Sequence, residues 1–153
     1  FGLVRAERGE LALVTCGVIR TPAGQPLAQR LVQIHDALRV LISTYQPACA
    51  AVEELFFSTN ARTAIAVGQA RGVCLLTIAQ AGLEAFEYTP LEVKQAVVGY
   101  GKASKDQVQQ MVRMLLNLDD ILRPDDAADA AAIAICHLHS ALQPALARQL
   151  RES

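Results

Sequence analysis

ACAAVEELFFSTNARTAIAVGQARGVCLLTIAQAG, Ala48 to Gly82, is the stretch on which the fold turns. Its short apolar run, Ala48 to Val52, fits a strand buried on both faces that delivers Glu53 at its end. A loop carrying Phe56 and Phe57 follows. From Ala61 to about Ala81 the chain is apolar nearly all round, so it is expected to be a helix packed on several sides. Gly68 and Gly72 within it suit close helix packing, and Gly82 ends it. A carboxylate at the carboxyl end of a buried strand sits where open α/β sheets place their ligands.

Working outward, FGLVRAERGELALVTCGVI predicts two strands, Phe1 to Ala6 and Leu11 to Ile19, joined at Arg8-Gly9 as an antiparallel hairpin. After the loop TPAGQP, Leu27, Leu31, Ile34, Leu38, Leu41 and Ile42 recur at helical spacing up to Gln46, and Pro47 stops that helix. Toward the other end, Leu83 to Tyr88 reads as a strand and Pro90 opens a short helix to Val98. GYGKAS is a basic loop. Ser104 and Gln107 have capping-box spacing before a helix with the stripe Val108, Met111, Val112, Leu115 and Leu116. The linker NLDDILRP leads to a last helix that starts at Asp125 or Asp126, with Asp125 as the expected cap; Pro144 interrupts or kinks it near its end. The order ββ, α, β, α, β, α, α, α predicts one α/β domain over 1–153, a mixed sheet covered by helices.

The composition, 52% hydrophobic and 19% charged over 153 residues, suits a folded core that needs neither disulfide nor metal. Cys16, Cys49, Cys74 and Cys136 form no C-x-x-C pair and are expected to be reduced core thiols of a cytosolic protein. No run reaches the roughly 18 apolar residues of a membrane span, and no secretory signal opens the chain, so a soluble protein that is not exported is expected. Net charge is -1, yet all three lysines, Lys94, Lys102 and Lys105, fall close together. Where positive charge sits matters more than its sum.

Three acids bear the chemistry. Asp126 and Asp129 are three apart in the first turn of the last helix and project from one face. Carboxylates from a strand end and a helix start would repel unless a hard divalent cation joined them, and ions about 4 Å apart serve phosphodiester hydrolysis by activating water and steadying the leaving oxygen. Each acid also has a plainer reading: Glu53 facing solvent, and Asp126 and Asp129 complementing a helix dipole. Lys94, Lys102 and Lys105, with Arg62 and Arg71 on the helix after the Glu53 loop, could track a phosphate backbone or form a solvated patch. Phe56 and Phe57 either pack inward or meet a base. His137 and His139, two apart, point in different directions, which does not favour a shared metal site.

AVEELFFSTNARTAIAVGQARGV (Ala51 to Val73), YTPLEVKQAVVGYGKASKDQVQQMV (Tyr88 to Val112) and DDAADAAAIAICH (Asp125 to His137) together closely resemble the RuvC family of bacterial Holliday junction resolvases. The resemblance implies an RNase H-like fold and a cytoplasmic homodimer that nicks two opposing strands of a four-way DNA junction in recombination and repair. It implies magnesium, two ions per site with manganese as substitute, and cooperation with RuvA and RuvB. Residue by residue it makes Glu53, Asp126 and Asp129 the catalytic metal ligands. It makes Phe56 the aromatic at the crossover and Lys94 and Lys105 the DNA-binding lysines; Asn60, Arg62, Arg71 and Lys102 complete the expected DNA contacts. Family members carry a G-I-D-P-G strand, central in the sheet, before the F-G-L-V segment, and its aspartate is the remaining ligand. That first strand is absent from this sequence, so an N-terminally incomplete domain is expected. A non-catalytic junction-binding module of the same fold is the alternative reading, and an RNase H-like relative acting on RNA a more distant one.

Overall fold

The computed structural model describes residues 1–54 and 61–149, with side chains for 1–54 and 63–141. Four strands and five helices follow one another along it: β1 (Gly2–Glu7), β2 (Glu10–Cys16), α1 (Leu27–Tyr45), β3 (Ala50–Glu53), α2 (Ala61–Gln80), β4 (Ala85–Tyr88), α3 (Pro90–Val98), α4 (Lys105–Leu115) and α5 (Asp125–Gln149). The mixed α/β class is the expected one. Among the described residues strand pairing is confined to two two-stranded sheets, β1-β2 and β3-β4. The chain divides into two compact units, Phe1–Val18 with Glu87–Ser153, and Ile19–Phe86.

The first, the hairpin unit, is built on a tight turn. Arg8 and Gly9 both have positive φ, 53° and 87°, the signature of a two-residue hairpin turn that matches strand twist. The strands are antiparallel from Gly2↔Cys16 to Glu7↔Glu10, with an irregularity between Leu3 and Val4. Against them lie α3, α4 and α5, whose shared core is Val93, Val97, Ala103, Val108, Val112, Leu116, Ala131, Ala132, Ile135 and Cys136.

The alanines decide how closely α5 can approach. Ala127, Ala131 and Ile135 recur every four residues, Ala128 and Ala132 likewise, and all five are buried. With so little side chain between them, β1 comes down onto the helix backbone. A Cβ on Gly2 would stand 2.8 Å from the Ala131 nitrogen, closer than real side chains come, so glycine is required by space. The buried face of α5 is thereby fixed, and Asp126 and Asp129 are left on its more open side.

Local signals set the shorter helices. Thr89 caps α3, accepting from the Glu92 N–H while Glu92 accepts from the Thr89 N–H at 2.7 Å; Pro90 occupies the first turn and Gly99, φ 96°, ends it. Ser104 and Gln107 close the same box on α4, as their spacing predicts. Met111 and Leu115 pack beside the buried Val108, Val112 and Leu116.

In the second unit α1 packs on α2. Gln46 ends α1 in a left-handed conformation just before Pro47. Two expectations fail here. The α2 helix is not packed on several sides, because Ile65 is 61% exposed and Val67 and Leu76 are also open; of its described residues only Thr77 and Ile78 are buried. A Cβ on Gly68 or Gly72 would meet nothing within 4 Å, so no close packing requires those glycines in this chain. Likewise β3 is half-buried rather than covered on both faces, for among the described strands it pairs only with β4.

Two smaller corrections follow. Only Cys136 is a core thiol; Cys16, Cys49 and Cys74 are free but half-buried. Burial pushes the Cys49, Cys74 and Cys136 thiols up. The α5 helix runs through Pro144 to Gln149, so Pro144 does not interrupt it.

Candidate active site

The aspartates enter through the start of α5. Asp125 and Asp126 lie in its first turn and Asp129 one turn on, where the positive end of the helix dipole favours carboxylates. Close by begins α4, and its first residue is Lys105. A cation there opposes the dipole of its own helix, so other groups must hold it. They are the carboxylates of α5: Lys105 Nζ lies 3.3 Å from Asp125 Oδ2 and 3.5 Å from Asp129 Oδ2. On its other oxygen Asp125 accepts from the Arg123 guanidinium.

Electrostatics follow that geometry. The Asp125 carboxyl is held below the usual carboxylate range, first by Lys105, then by the neighbouring Gln109 amide. Lys105 is held above the usual lysine range, first by Asp125 and then by Asp129. Gln109 is 4% exposed, and its Nε2 closes no hydrogen bond of standard geometry. Asp125 was expected to cap α5. Its carboxylate instead takes side-chain partners, because two cations stand within reach of it. Among the described residues none pairs with the exposed Asp126.

In the second unit Glu53 ends β3, exposed, as the sequence suggests. Its backbone carbonyl accepts from Arg71 Nε at 3.3 Å, so an arginine of α2 ties down the strand end. The structure thus gathers Lys105 with Asp125 and Asp129, and Arg71 with Glu53. Lys94 is half-buried on α3 and Lys102 exposed in the loop before α4. Phe56, Phe57 and Asn60 lie outside the described residues, as does the Arg62 side chain. Among the described residues no three His, Cys, Asp or Glu side chains gather as a metal centre.

The histidines serve packing. His137 Nδ1 lies 2.9 Å from the Tyr88 hydroxyl and His139 Nδ1 3.0 Å from the Ala96 carbonyl oxygen, so α5 is tied to β4 and α3. Sequence reasoning missed Arg123 and Gln109 altogether. Arg123 carries a local signal, since its partner Asp125 is two residues on, whereas Gln109 lies on another helix and only the folded chain brings it near Asp125.

The family described as crossover junction endodeoxyribonuclease RuvC matches residues 1–137. The chain belongs to the RuvC family. It is 57% identical over 141 residues to the crossover junction endodeoxyribonuclease RuvC of Roseiflexus sp. (strain RS-1), spanning 92% of this chain and 84% of that one. To the corresponding protein of Chloroflexus aggregans it is 56% identical, across 92% and 86% of the two chains. Among solved structures, Thermus thermophilus RuvC in complex with a Holliday junction substrate superposes with a TM-score of 0.87 at 35% identity, covering 92% of this chain and 86% of that one. The fold is therefore the RNase H-like fold of the RuvC family, and family membership makes the chain an endodeoxyribonuclease. No helix among the described residues is long and apolar enough to cross a membrane.

Proposed function

We propose that this RuvC family member resolves four-way DNA junctions by magnesium-dependent nicking, with Glu53, Asp126 and Asp129 as the carboxylates that hold the cation. The observation that carries the reading is the ammonium of Lys105 lying against Asp129 at the start of α5, a position where carboxylates already hold positive charge. Oxygen-only donors suit a hard cation such as magnesium or manganese, and no thiol lies in the proposed set. When bound, two such ions supply an activated water and a counter-charge for the leaving oxygen.

The chain's own residues supply the rest. Asp126 and Asp129 are presented by a helix whose opposite face is locked in the core, so they meet the ion without rearrangement of the backbone. Arg71 holds the end of the strand that carries Glu53. Lys94, Lys102 and Lys105 neutralise phosphates, and Phe56, Asn60, Arg62 and Arg71 add contacts to the junction. Opposed nicks call for two sites, hence a homodimer; RuvA and RuvB are the partners and the cytoplasm the compartment that the family resemblance favours.

The test is Asp126→Asn. It is expected to abolish cutting of a synthetic mobile junction in magnesium while junction binding without metal stays close to that of the parent protein. Full cleavage by that variant would remove Asp126 from the metal site.

A further inference from the structure

Lys105 is held by two carboxylates with different prospects. Asp129 is one of the acids assigned above to the divalent cation, and an oxygen that turns to a metal ion is no longer available to an ammonium. Asp125 is outside that set. It is anchored by Arg123 on its other oxygen, and the buried Gln109 amide stands near it with an Nε2 that makes no hydrogen bond. Arg123 holds Asp125 in place through its other oxygen, so this acid can keep Lys105 whatever Asp129 does.

We propose that Asp125 is a positioning residue that keeps the Lys105 ammonium at the start of α5 when the divalent cation takes Asp129. The inference rests on the reading of Asp129 as a metal ligand. Without Asp125, Lys105 has only Asp129 to pair with, and it then competes with the cation for that carboxylate. An exposed ion pair contributes little to folding, so the role of Asp125 is to place charge, not to hold the domain together.

The experiment is a double-mutant cycle on the full chain, read by nicking of a mobile four-way junction and by calorimetric titration with magnesium. Asp125→Asn is expected to lower kcat about tenfold with KM for the junction within about twofold, a placement effect without loss of substrate binding. Asp125→Glu should recover most of the rate. In a Lys105→Ala background the same Asp125→Asn change is expected to cost less than about twofold, because the group it positions is gone. Magnesium binding carries the same cycle if Lys105→Ala is too slow to assay: Asp125→Asn should weaken it when Lys105 is present and hardly at all when it is absent. Equal losses in both backgrounds, or no loss in either, overturn the proposal. Should Asp126→Asn cut normally, the assignment of the metal site fails first; should it be inactive while the cycle shows no coupling, only the role of Asp125 fails.

Discussion

The two units use similar apolar material in different ways. In the hairpin unit α3, α4 and α5 bury their valines, alanines and Ile135 in one core, whereas in the second unit α1 has no buried residue and α2 leaves Ile65, Val67 and Leu76 open. The carboxylate pair of α5 stands on the closed core; Glu53 stands at a strand end braced by Arg71. Packing fixes the helix backbone that carries Asp126 and Asp129, whereas at Glu53 a hydrogen bond from Arg71 to the backbone carbonyl holds the strand end.

The sharpest test of that difference is truncation. Ile135→Ala, at a fully buried position, is expected to destabilise the chain by about 2–5 kcal/mol in urea unfolding. Ile65→Ala, at an open position, is expected to cost less than about 0.5 kcal/mol in dilute solution. A loss at Ile65 as large as that at Ile135 would mean that another copy covers the α1–α2 face in solution, and the contrast between units would then belong to the single chain alone.

Where signals were local, the sequence was enough. The turn at Arg8-Gly9, the bounds of Pro90 to Val98 and the Ser104 box all depend on residues within four of one another. Burial is a different matter. Periodicity shows that α2 is apolar on every side but not whether anything comes to cover it, so its packing was overestimated. The same limit hid the Lys105–Asp125 pair: DDAAD reads as a capped helix start until a lysine from another helix arrives. The pattern of acids that marks the candidate site was legible, and so was Lys105 as a cation; that the two pair was not.

Glycine gives a second comparison, with opposite signs expected from one chemical change. Gly2→Ala would drive a Cβ into the backbone of α5 at Ala131, and neither partner can swing aside as a flexible side chain would, so a loss of about 1–3 kcal/mol is expected. Gly72→Ala adds its methyl to open space on α2 and removes a flexible residue from a helix interior, so a gain of about 0.5–1 kcal/mol is expected. Chemical denaturation of the two variants side by side decides. If Gly72→Ala also destabilised the protein, α2 would have to be packed against something at that face.

The smallest effect concerns charge in the hairpin unit. Asp125 has its carboxyl pKa lowered by folding, so its contribution is present above the unfolded value near ~3.9 and is lost as pH falls through the lowered folded value. Lys105 has its pKa raised, so its contribution is present below about 10.4 and is lost as pH rises through the raised folded value. Both are therefore in place around neutrality. In metal-free buffer the Tm difference between the parent protein and Asp125→Asn is expected to be small and flat from about pH 5 to pH 9 and to shrink toward either extreme. Added salt should reduce it throughout, because the pair is open to solvent. A Tm difference that grew in acid would mean that Asp125 is not the ionised partner of Lys105. The charges at the start of α5 would then have to be balanced through Asp129 alone, and the distinction between the acid proposed to bind metal and the acid that holds lysine would disappear.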